Sequence, residues 1–193
     1  MLNVAQIKKM FLKEGNNSGK ACIYIEIVDR ETDVEKMDLN TLLTEIFSMS
    51  KLKTVVIKGR MSDNPEIKPL ITGLVAKGKY VTFITSARED IGPIRPLPRV
   101  GIILTLVPPN KKKNVVRLAN LPLLKEDDEL KFLLKNMNDY RDAKLFLKSK
   151  TITRPTIIFG INSILEPQEF LDEYMEDCEN FTFRTRVSKK LSL

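Results

Sequence analysis

The chain reads CIYIEIVDRETDVEKMDLNT from Cys22 to Thr41, and this stretch predicts the fold class. Apolar and polar residues alternate as far as Val28, which is typical of a β-strand, and the polar residues after it indicate a loop. Asp38 is a good N-cap for a helix, because its carboxylate can accept hydrogen bonds from the first backbone amides. A strand, a loop and a helix in this order begin a β–α–β pattern.

The next segments continue the pattern. Thr54–Lys58 is a short apolar strand, and a second helix begins with Pro65 at its first position and is closed by Gly78. Tyr80–Thr85 is another strand. Strand, helix, strand, helix and strand in succession predict a parallel sheet with crossover helices.

The remaining sequence repeats the two kinds of element. Residues 1–14 fit a short amphipathic helix or an edge strand equally well. A chain of 193 residues is long enough for one core. We therefore expect a single α/β domain over residues 1–193, built as an incomplete barrel of parallel strands. The further strands are predicted at Val100–Val107, Glu129–Leu134, Thr156–Phe159 and Phe181–Val187, and the further helices at Asn136–Lys148 and Pro167–Cys178.

Composition excludes several kinds of site. The chain has no histidine, which removes histidine-based triads and ordinary zinc sites. Its two cysteines, Cys22 and Cys178, lie in apolar patterns and are expected to be buried thiols. Neither G-x-G-x-x-G nor G-x-x-x-x-G-K occurs, so no phosphate-cradling loop is predicted. The sequence shows no signal-peptide pattern and no apolar run long enough for a bilayer, so we expect a cytoplasmic protein. From the residue types present, we also expect no bound metal or cofactor.

The formal net charge of +7 allows contact with an acidic partner. Two basic clusters could meet phosphates or an acidic protein surface. A solvated loop is the favoured interpretation of the first cluster, and a half-exposed edge strand that of the second, with Phe181 and Phe183 on its other face. The acidic run at residues 126–129 is interpreted as a surface turn. The candidate partner-binding residues are Lys111, Lys112, Lys113 and Arg117 in the first cluster and Arg184, Arg186, Lys189 and Lys190 in the second.

Several stretches, in their order and spacing, resemble 7-carboxy-7-deazaguanine synthase, a small member of the radical S-adenosylmethionine superfamily. The resemblance covers nearly the whole chain. In the family the C-terminal strand ends in a His-Lys pair, where this chain has Lys189 and Lys190. The stretches are SGKACIYI (18–25), VVIKG (55–59), DELKF (128–132), NDY (138–140) and RTRVSKKL (184–191).

The resemblance implies an iron–sulfur cluster held by three cysteines in the loop after the first of these strands. Here that loop contains Asp29, Arg30, Glu31 and Asp33 and no cysteine. The family's GGEP segment, which should receive the methionine end of the cofactor, reads GRMS at residues 59–62. We therefore expect the fold without its radical chemistry, and no enzyme.

A fold that has lost its active site while keeping its core suits an interaction protein. It resembles the phage-encoded proteins that bind the primary sigma factor of bacterial RNA polymerase. The hypothesis is a non-enzymatic modulator of host transcription that binds this acidic factor near promoter DNA in the host cytoplasm. Two alternatives stay open: a nucleic-acid-binding protein that uses its basic patches, and a protein that still binds a deazapurine or pterin ring.

Overall fold

A computed structural model describes residues 1–12, 19–28, 34–49, 51–108, 116–150, 152, 154–161 and 167–189, without the side chains of Pro167 and Lys189. The strands are β1 (Leu2–Phe11), β2 (Ala21–Ile27), β3 (Glu35–Met37), β4 (Thr54–Lys58), β5 (Tyr80–Ser86), β6 (Val100–Leu106), β7 (Glu129–Leu134), β8 (Thr156–Ile161) and β9 (Thr185–Lys189). The helices are α1 (Leu39–Met49), α2 (Ile67–Ala76), α3 (Met137–Lys150) and α4 (Pro167–Cys178).

The nine strands form one sheet in the order β3-β1-β2-β4-β5-β6-β7-β8-β9. β2, β4 and β5 run parallel to one another, and so do β7, β8 and β9. β1 is antiparallel to both of its neighbours, β2 and β3. The predicted fold class, α/β with a mostly parallel sheet, is confirmed. The chain divides into two compact units, Met1–Ile103 and Leu104–Leu193, each held together mainly by contacts between its own residues.

In the first unit, one face of the sheet is mainly apolar. The parallel register places Ile25 of β2, Ile57 of β4 and Phe83 of β5 side by side, and all three are fully buried. α2 contacts β5, and α1 contacts α2. Burying each large side chain contributes about 1.5–3 kcal/mol, so this face and its helices form the main core of the unit. The buried helix residues are Leu42 and Ile46 of α1 and Ile67, Leu70, Ile71 and Leu74 of α2.

Helix ends in this unit follow local chemistry. Asp38 caps α1 as predicted, with its Oδ1 accepting the amides of Asn40 at 2.9 Å and Thr41 at 3.0 Å. Gly78 lies just beyond α2 with φ +81°, a conformation that glycine adopts without strain. The predicted start of α2 at Pro65 is wrong, because the helix begins at Ile67, after a turn in which the Ile67 amide donates to the carbonyl of Asn64.

Of the two interpretations of residues 1–14, the strand is correct. Leu2–Phe11 forms β1, and its end is joined to β2 by hydrogen bonds between Leu12 and both Gly19 and Lys20. β3 was not predicted. Its three residues pair with Leu2–Val4 of β1, a contact that nothing in their own sequence indicates.

The second unit has an aromatic core. Phe132 of β7 and Phe159 of β8 stack at 6.0 Å between ring centroids, and Tyr140 of α3 meets Phe159 edge-on at 5.1 Å. Phe170 of α4 lies 5.0 Å from Tyr140. Such pairs contribute about 0.5–1.5 kcal/mol beyond the area that they bury. They join both helices of the unit to its parallel strands.

Charged side chains connect α3 to α4 at the surface. Lys144 contacts Glu173 at 2.8 Å and Asp177 at 2.5 Å, and Arg141 donates to the same Glu173 carboxylate at 2.8 Å. The buried Tyr140 hydroxyl donates to Asp177 at 2.9 Å. Hydrogen bonds from Arg141 are the main cause of a lowered pKa for Glu173.

Several predictions for this unit are wrong. Cys178 is exposed, because it occupies the last position of α4. Asp128 and Glu129 are buried, although the acidic run was interpreted as surface, because Asp128 accepts the Lys125 amide in a tight turn and Glu129 begins β7. β9 begins at Thr185, four residues later than predicted.

No helix in the described ranges is long and apolar enough to cross a membrane.

Candidate functional site

The second face of the sheet in the first unit carries a row of polar side chains, which we call the Glu26 face: Lys8, Tyr24, Glu26 and Lys58. Glu26 Oε1 lies 2.6 Å from Lys58 Nζ, and the Tyr24 hydroxyl donates to Glu26 Oε2 at 3.4 Å. Lys8 Nζ lies 5.6 Å from the centre of the Tyr24 ring. The row therefore joins a carboxylate, two ammonium groups and an aromatic ring.

Strand register explains why these residues meet. Lys8 pairs with Tyr24 across β1 and β2, and Glu26 pairs with Lys58 across β2 and β4. Side chains at alternate positions of a strand share a face, so Tyr24 and Glu26 point the same way. Glu26 and Lys58 stand at the carboxyl ends of their strands, which is where open α/β sheets bind ligands.

The other end of this face is apolar. Leu12, Cys22 and Val56 form a buried cluster, and Tyr24 and Ile84 pack against it. Burial, followed by the charge of Glu26, raises the pKa of the Tyr24 hydroxyl, so Tyr24 stays protonated and able to donate. The Glu26 face thus presents polar groups beside an aromatic and aliphatic surface, a combination typical of small-molecule sites.

The loops beyond β4 and β5 are joined by a buried carboxylate. Glu89, which is 6% exposed, accepts the Ser62 amide at 2.9 Å and the Ser62 hydroxyl at 2.7 Å. Asn64, in the same loop as Ser62, donates to the carbonyl of Val28 at 3.2 Å. These bonds hold the segment after β4 against the ends of β2 and β5.

The iron–sulfur cluster that the resemblance implies does not fit this chain. Cys22 is buried within β2 and Cys178 is exposed at the end of α4, and these are the two thiols of the whole sequence. Three thiolates from one loop are needed to hold such a cluster. In the GRMS segment, the amide and hydroxyl of Ser62 are bonded to Glu89, and Arg60 Nε lies 2.5 Å from Asp63. Among the described residues, no three histidine, cysteine or acidic side chains converge as metal ligands.

The structure locates some of the predicted partner-binding residues. Arg117 is exposed just before a short 3₁₀ helix at Leu118–Leu123. Arg184 is exposed and donates to the carbonyl of Glu126, and Arg186 is exposed on β9. Lys189 ends β9. Lys111, Lys112, Lys113 and Lys190 lie outside the described residues.

The half-exposed edge strand predicted for the second basic cluster is present only from Thr185 onward, because β9 spans Thr185–Lys189 at the edge of the sheet and Phe181 and Phe183 precede it. Phe181 and Phe183 are half-buried and stack on each other at 4.7 Å, while Arg184 and Arg186 are exposed. Phe181 also lies 6.3 Å from the buried Phe159, so these rings extend the core of the second unit.

Sequence reasoning did not identify the Glu26 face or the Ser62–Glu89 contact. One signal was available: a charged residue among isoleucines near the end of a parallel strand, as Glu26 is, lies where ligands bind. The partnership of Glu89 with Ser62 carried no such signal, because the two residues are 27 positions apart in different loops.

Comparisons with known proteins agree with this fold. No protein-family model matches the chain. A 7-carboxy-7-deazaguanine synthase of Koribacter versatilis (strain Ellin345) is 22% identical over 205 residues, which cover 91% of this chain and 90% of that protein. The chain is a distant relative of this synthase. The crystal structure of QueE from Escherichia coli superposes with a TM-score of 0.68 at 17% identity, over 97% of this chain and 93% of that chain, so the two share the radical S-adenosylmethionine fold.

These relatives overturn the functional hypothesis drawn from the sequence. The chain was expected to be a phage-encoded modulator that binds a sigma factor, with nucleic-acid binding as one alternative. The similar proteins are instead a 7-carboxy-7-deazaguanine synthase and QueE, and both similarities extend over nearly the whole chain. The hypothesis is therefore wrong, because it took the loss of cluster ligands as a sign of a new macromolecular partner.

Proposed function

We propose that this protein binds a 7-deazaguanine-type ring at the Glu26 face and does so without cluster-dependent radical chemistry. The observation that carries the proposal is the contrast between similarity to a 7-carboxy-7-deazaguanine synthase over 91% of the chain and a total of two cysteines. The scaffold is retained, whereas the ligands of the cluster are not.

The chemistry of the ring suits the Glu26 carboxylate. A deazaguanine carries a ring N–H next to an exocyclic amino group, and these two donors match the two oxygens of a carboxylate. Lys58 holds one oxygen of Glu26 at 2.6 Å, while the hydroxyl of Tyr24 approaches the other at a longer 3.4 Å. The carboxylate is thereby oriented toward the open face before a ligand arrives, which lowers the entropy lost on binding.

The surroundings of Glu26 suit the rest of such a molecule. The half-buried ring of Tyr24 and the side chain of Ile84 provide an apolar surface for a planar ring. Lys58, whose side chain is 52% exposed, can meet a carboxylate substituent. One acidic group, one aromatic group and one ammonium group account for the three kinds of surface on a 7-carboxy-7-deazaguanine.

Isothermal titration calorimetry with 7-carboxy-7-deazaguanine tests the proposal. We expect saturable binding by the wild-type chain and a loss of about tenfold or more in affinity for Glu26→Gln, because a charge-assisted hydrogen bond is weakened. Glu35→Gln, the same change at an exposed position of β3, is the matched control and should bind as the wild type does. Absence of binding by the wild type, or an equal loss in both variants, would contradict the proposal.

Anaerobic reconstitution with iron and sulfide tests the second part. We expect no stoichiometric cluster to form and no absorbance typical of iron–sulfur clusters, since two distant thiols cannot supply three ligands. A stoichiometric cluster together with cleavage of S-adenosylmethionine would contradict this part.

A further inference from the structure

We propose that the second unit contains an oxyanion-binding site, formed by Lys131, Arg186 and Ser188 around Gly160, which takes the phosphate or carboxylate group of a small molecule. The site lies on the face of β7, β8 and β9 opposite the aromatic core. It uses none of the residues of the Glu26 face, and its existence does not depend on what that face binds.

Gly160 marks the position where the ammonium group of Lys131 lies. A Cβ at residue 160 would stand 2.7 Å from Lys131 Cε, 3.6 Å from Lys131 Nζ and 3.2 Å from the carbonyl oxygen of Phe132. The contact of 2.7 Å is too short for any real side chain. Glycine at this position therefore leaves a gap in the face of β8, and the stem of Lys131 crosses that gap.

The register shows the direction in which Lys131 extends. Lys131 of β7 pairs with Ile158 of β8, whereas Gly160 lies two residues further along β8. The side chain therefore runs toward the carboxyl end of the strands and carries its charge away from Glu129, which is two residues earlier on β7. In parallel sheets the carboxyl ends are the usual location of ligands.

β9 adds two further donors on the same face. Gly160 pairs with Ser188, and Ile158 pairs with Arg186, so a hydroxyl and a guanidinium belong to the face that Lys131 crosses. Arg186 is exposed, while Lys131 and Ser188 are half-buried. An ammonium, a guanidinium and a hydroxyl are the donors that phosphate and carboxylate prefer, and two positive charges favour an anion.

The contacts that these residues make within the protein are compatible with the site. An ammonium has three donors and a guanidinium has five, so each can contact the protein and a ligand together. Toward the carboxyl ends of the strands, the neighbouring positions of this face are Leu133 on β7 and Gly160 on β8, whereas Glu129 and Thr156, toward the amino ends, are buried. The ammonium group of the half-buried Lys131 thus lies beside a small opening, where water screens it less than on an exposed loop.

Titration of the isotope-labelled full chain with inorganic phosphate and, separately, with acetate tests the site, with chloride used to hold ionic strength constant. The backbone amide signal of Gly160 is the reporter, and that of Gly101 is the internal control. We expect a saturable shift at Gly160, and the anion with the lower dissociation constant identifies whether a phosphate or a carboxylate group is preferred. Absence of a saturable shift with both anions would overturn the proposal.

Three variants separate binding from folding. Lys131→Met and Arg186→Gln should each weaken binding by about tenfold, because each removes a charge-assisted hydrogen bond. Gly160→Ala keeps every donor but forces Lys131 to move, so it should weaken binding while circular dichroism stays that of the wild type. Lys148→Met, an exposed position on α3, is the charge-matched control and should bind as the wild type does. Unchanged binding in Lys131→Met, or an equal loss in Lys148→Met, would overturn the proposal.

Discussion

Glu26 and Lys58 lie side by side at the carboxyl ends of two parallel strands, with 2.6 Å between Oε1 and Nζ. The pair is partly exposed, with 28% of the Glu26 side chain and 52% of the Lys58 side chain accessible. Partly exposed ion pairs add little to stability, because water screens the attraction and two side chains lose freedom. The pair is therefore better suited to orienting a carboxylate than to holding the fold together.

Lys58→Met should change the free energy of unfolding by less than about 1 kcal/mol. Urea denaturation followed by circular dichroism measures this. The same variant should weaken binding of 7-carboxy-7-deazaguanine, because Glu26 loses the group that orients it. A loss of several kcal/mol in stability would show instead that the pair is structural.

Ser62→Ala should destabilise the chain by about 1.5–3 kcal/mol, the range for hydrogen bonds to charged groups. The hydroxyl donates at 2.7 Å to the carboxylate of Glu89, a residue that is 6% exposed, and this buried carboxylate would lose one hydrogen bond. Denaturant unfolding provides the measurement. Ser48→Ala on α1 is the control: its hydroxyl contacts a carbonyl on an exposed helix surface, and its loss should change stability by less than about 0.5 kcal/mol.

Gly59→Ala should destabilise the chain by about 1–3 kcal/mol through overpacking. An added Cβ would lie 3.0 Å from Ile67 Cδ1 and 3.2 Å from the carbonyl oxygen of Ile27, and the backbone cannot yield easily. Thermal unfolding tests this against Gly101→Ala, where nothing lies within 4 Å of the added atom. We expect the control to be neutral or slightly stabilising, since alanine restricts the unfolded chain; equal losses would refute the packing argument.

The contact between α3 and α4 should weaken in acid. Hydrogen bonds from Arg141 hold the pKa of Glu173 below its ordinary value of 4.5. A carboxyl with a lowered folded pKa contributes stability that is complete above the ordinary pKa and is lost as the pH falls through the lowered one.

Denaturant unfolding measured from pH 6 down to about pH 3 checks this linkage. The wild type should lose more stability over this range than Glu173→Gln, which cannot titrate at that position. Glu176→Gln, an exposed position on the same helix, should follow the wild type. Parallel curves for the wild type and Glu173→Gln would mean that the ion pairs between α3 and α4 do not contribute to stability.

Most strands and helices were predictable because their causes are local. The cap of α1 needs only Asp38 and the two amides that follow it closely, and β4 is marked by its own apolar run. Errors occurred where long-range contacts decide the outcome. β3 exists because Leu2–Val4 is available to pair with it, and Cys178 is exposed because α4 ends at that residue.

The sequence by itself determined the α/β class and the lack of three thiol ligands, because periodicity, capping residues and composition are properties of the chain alone. The tertiary structure decided which residues become neighbours: Glu26 with Lys58, Ser62 with Glu89, and Lys131 with Gly160. For the pairs within the sheet the physical reason is strand register, whereas the loops of Ser62 and Glu89 meet because they follow the adjacent strands β4 and β5. A shift of one residue moves every side chain of a strand to the other face, and register depends on the packing of the whole sheet.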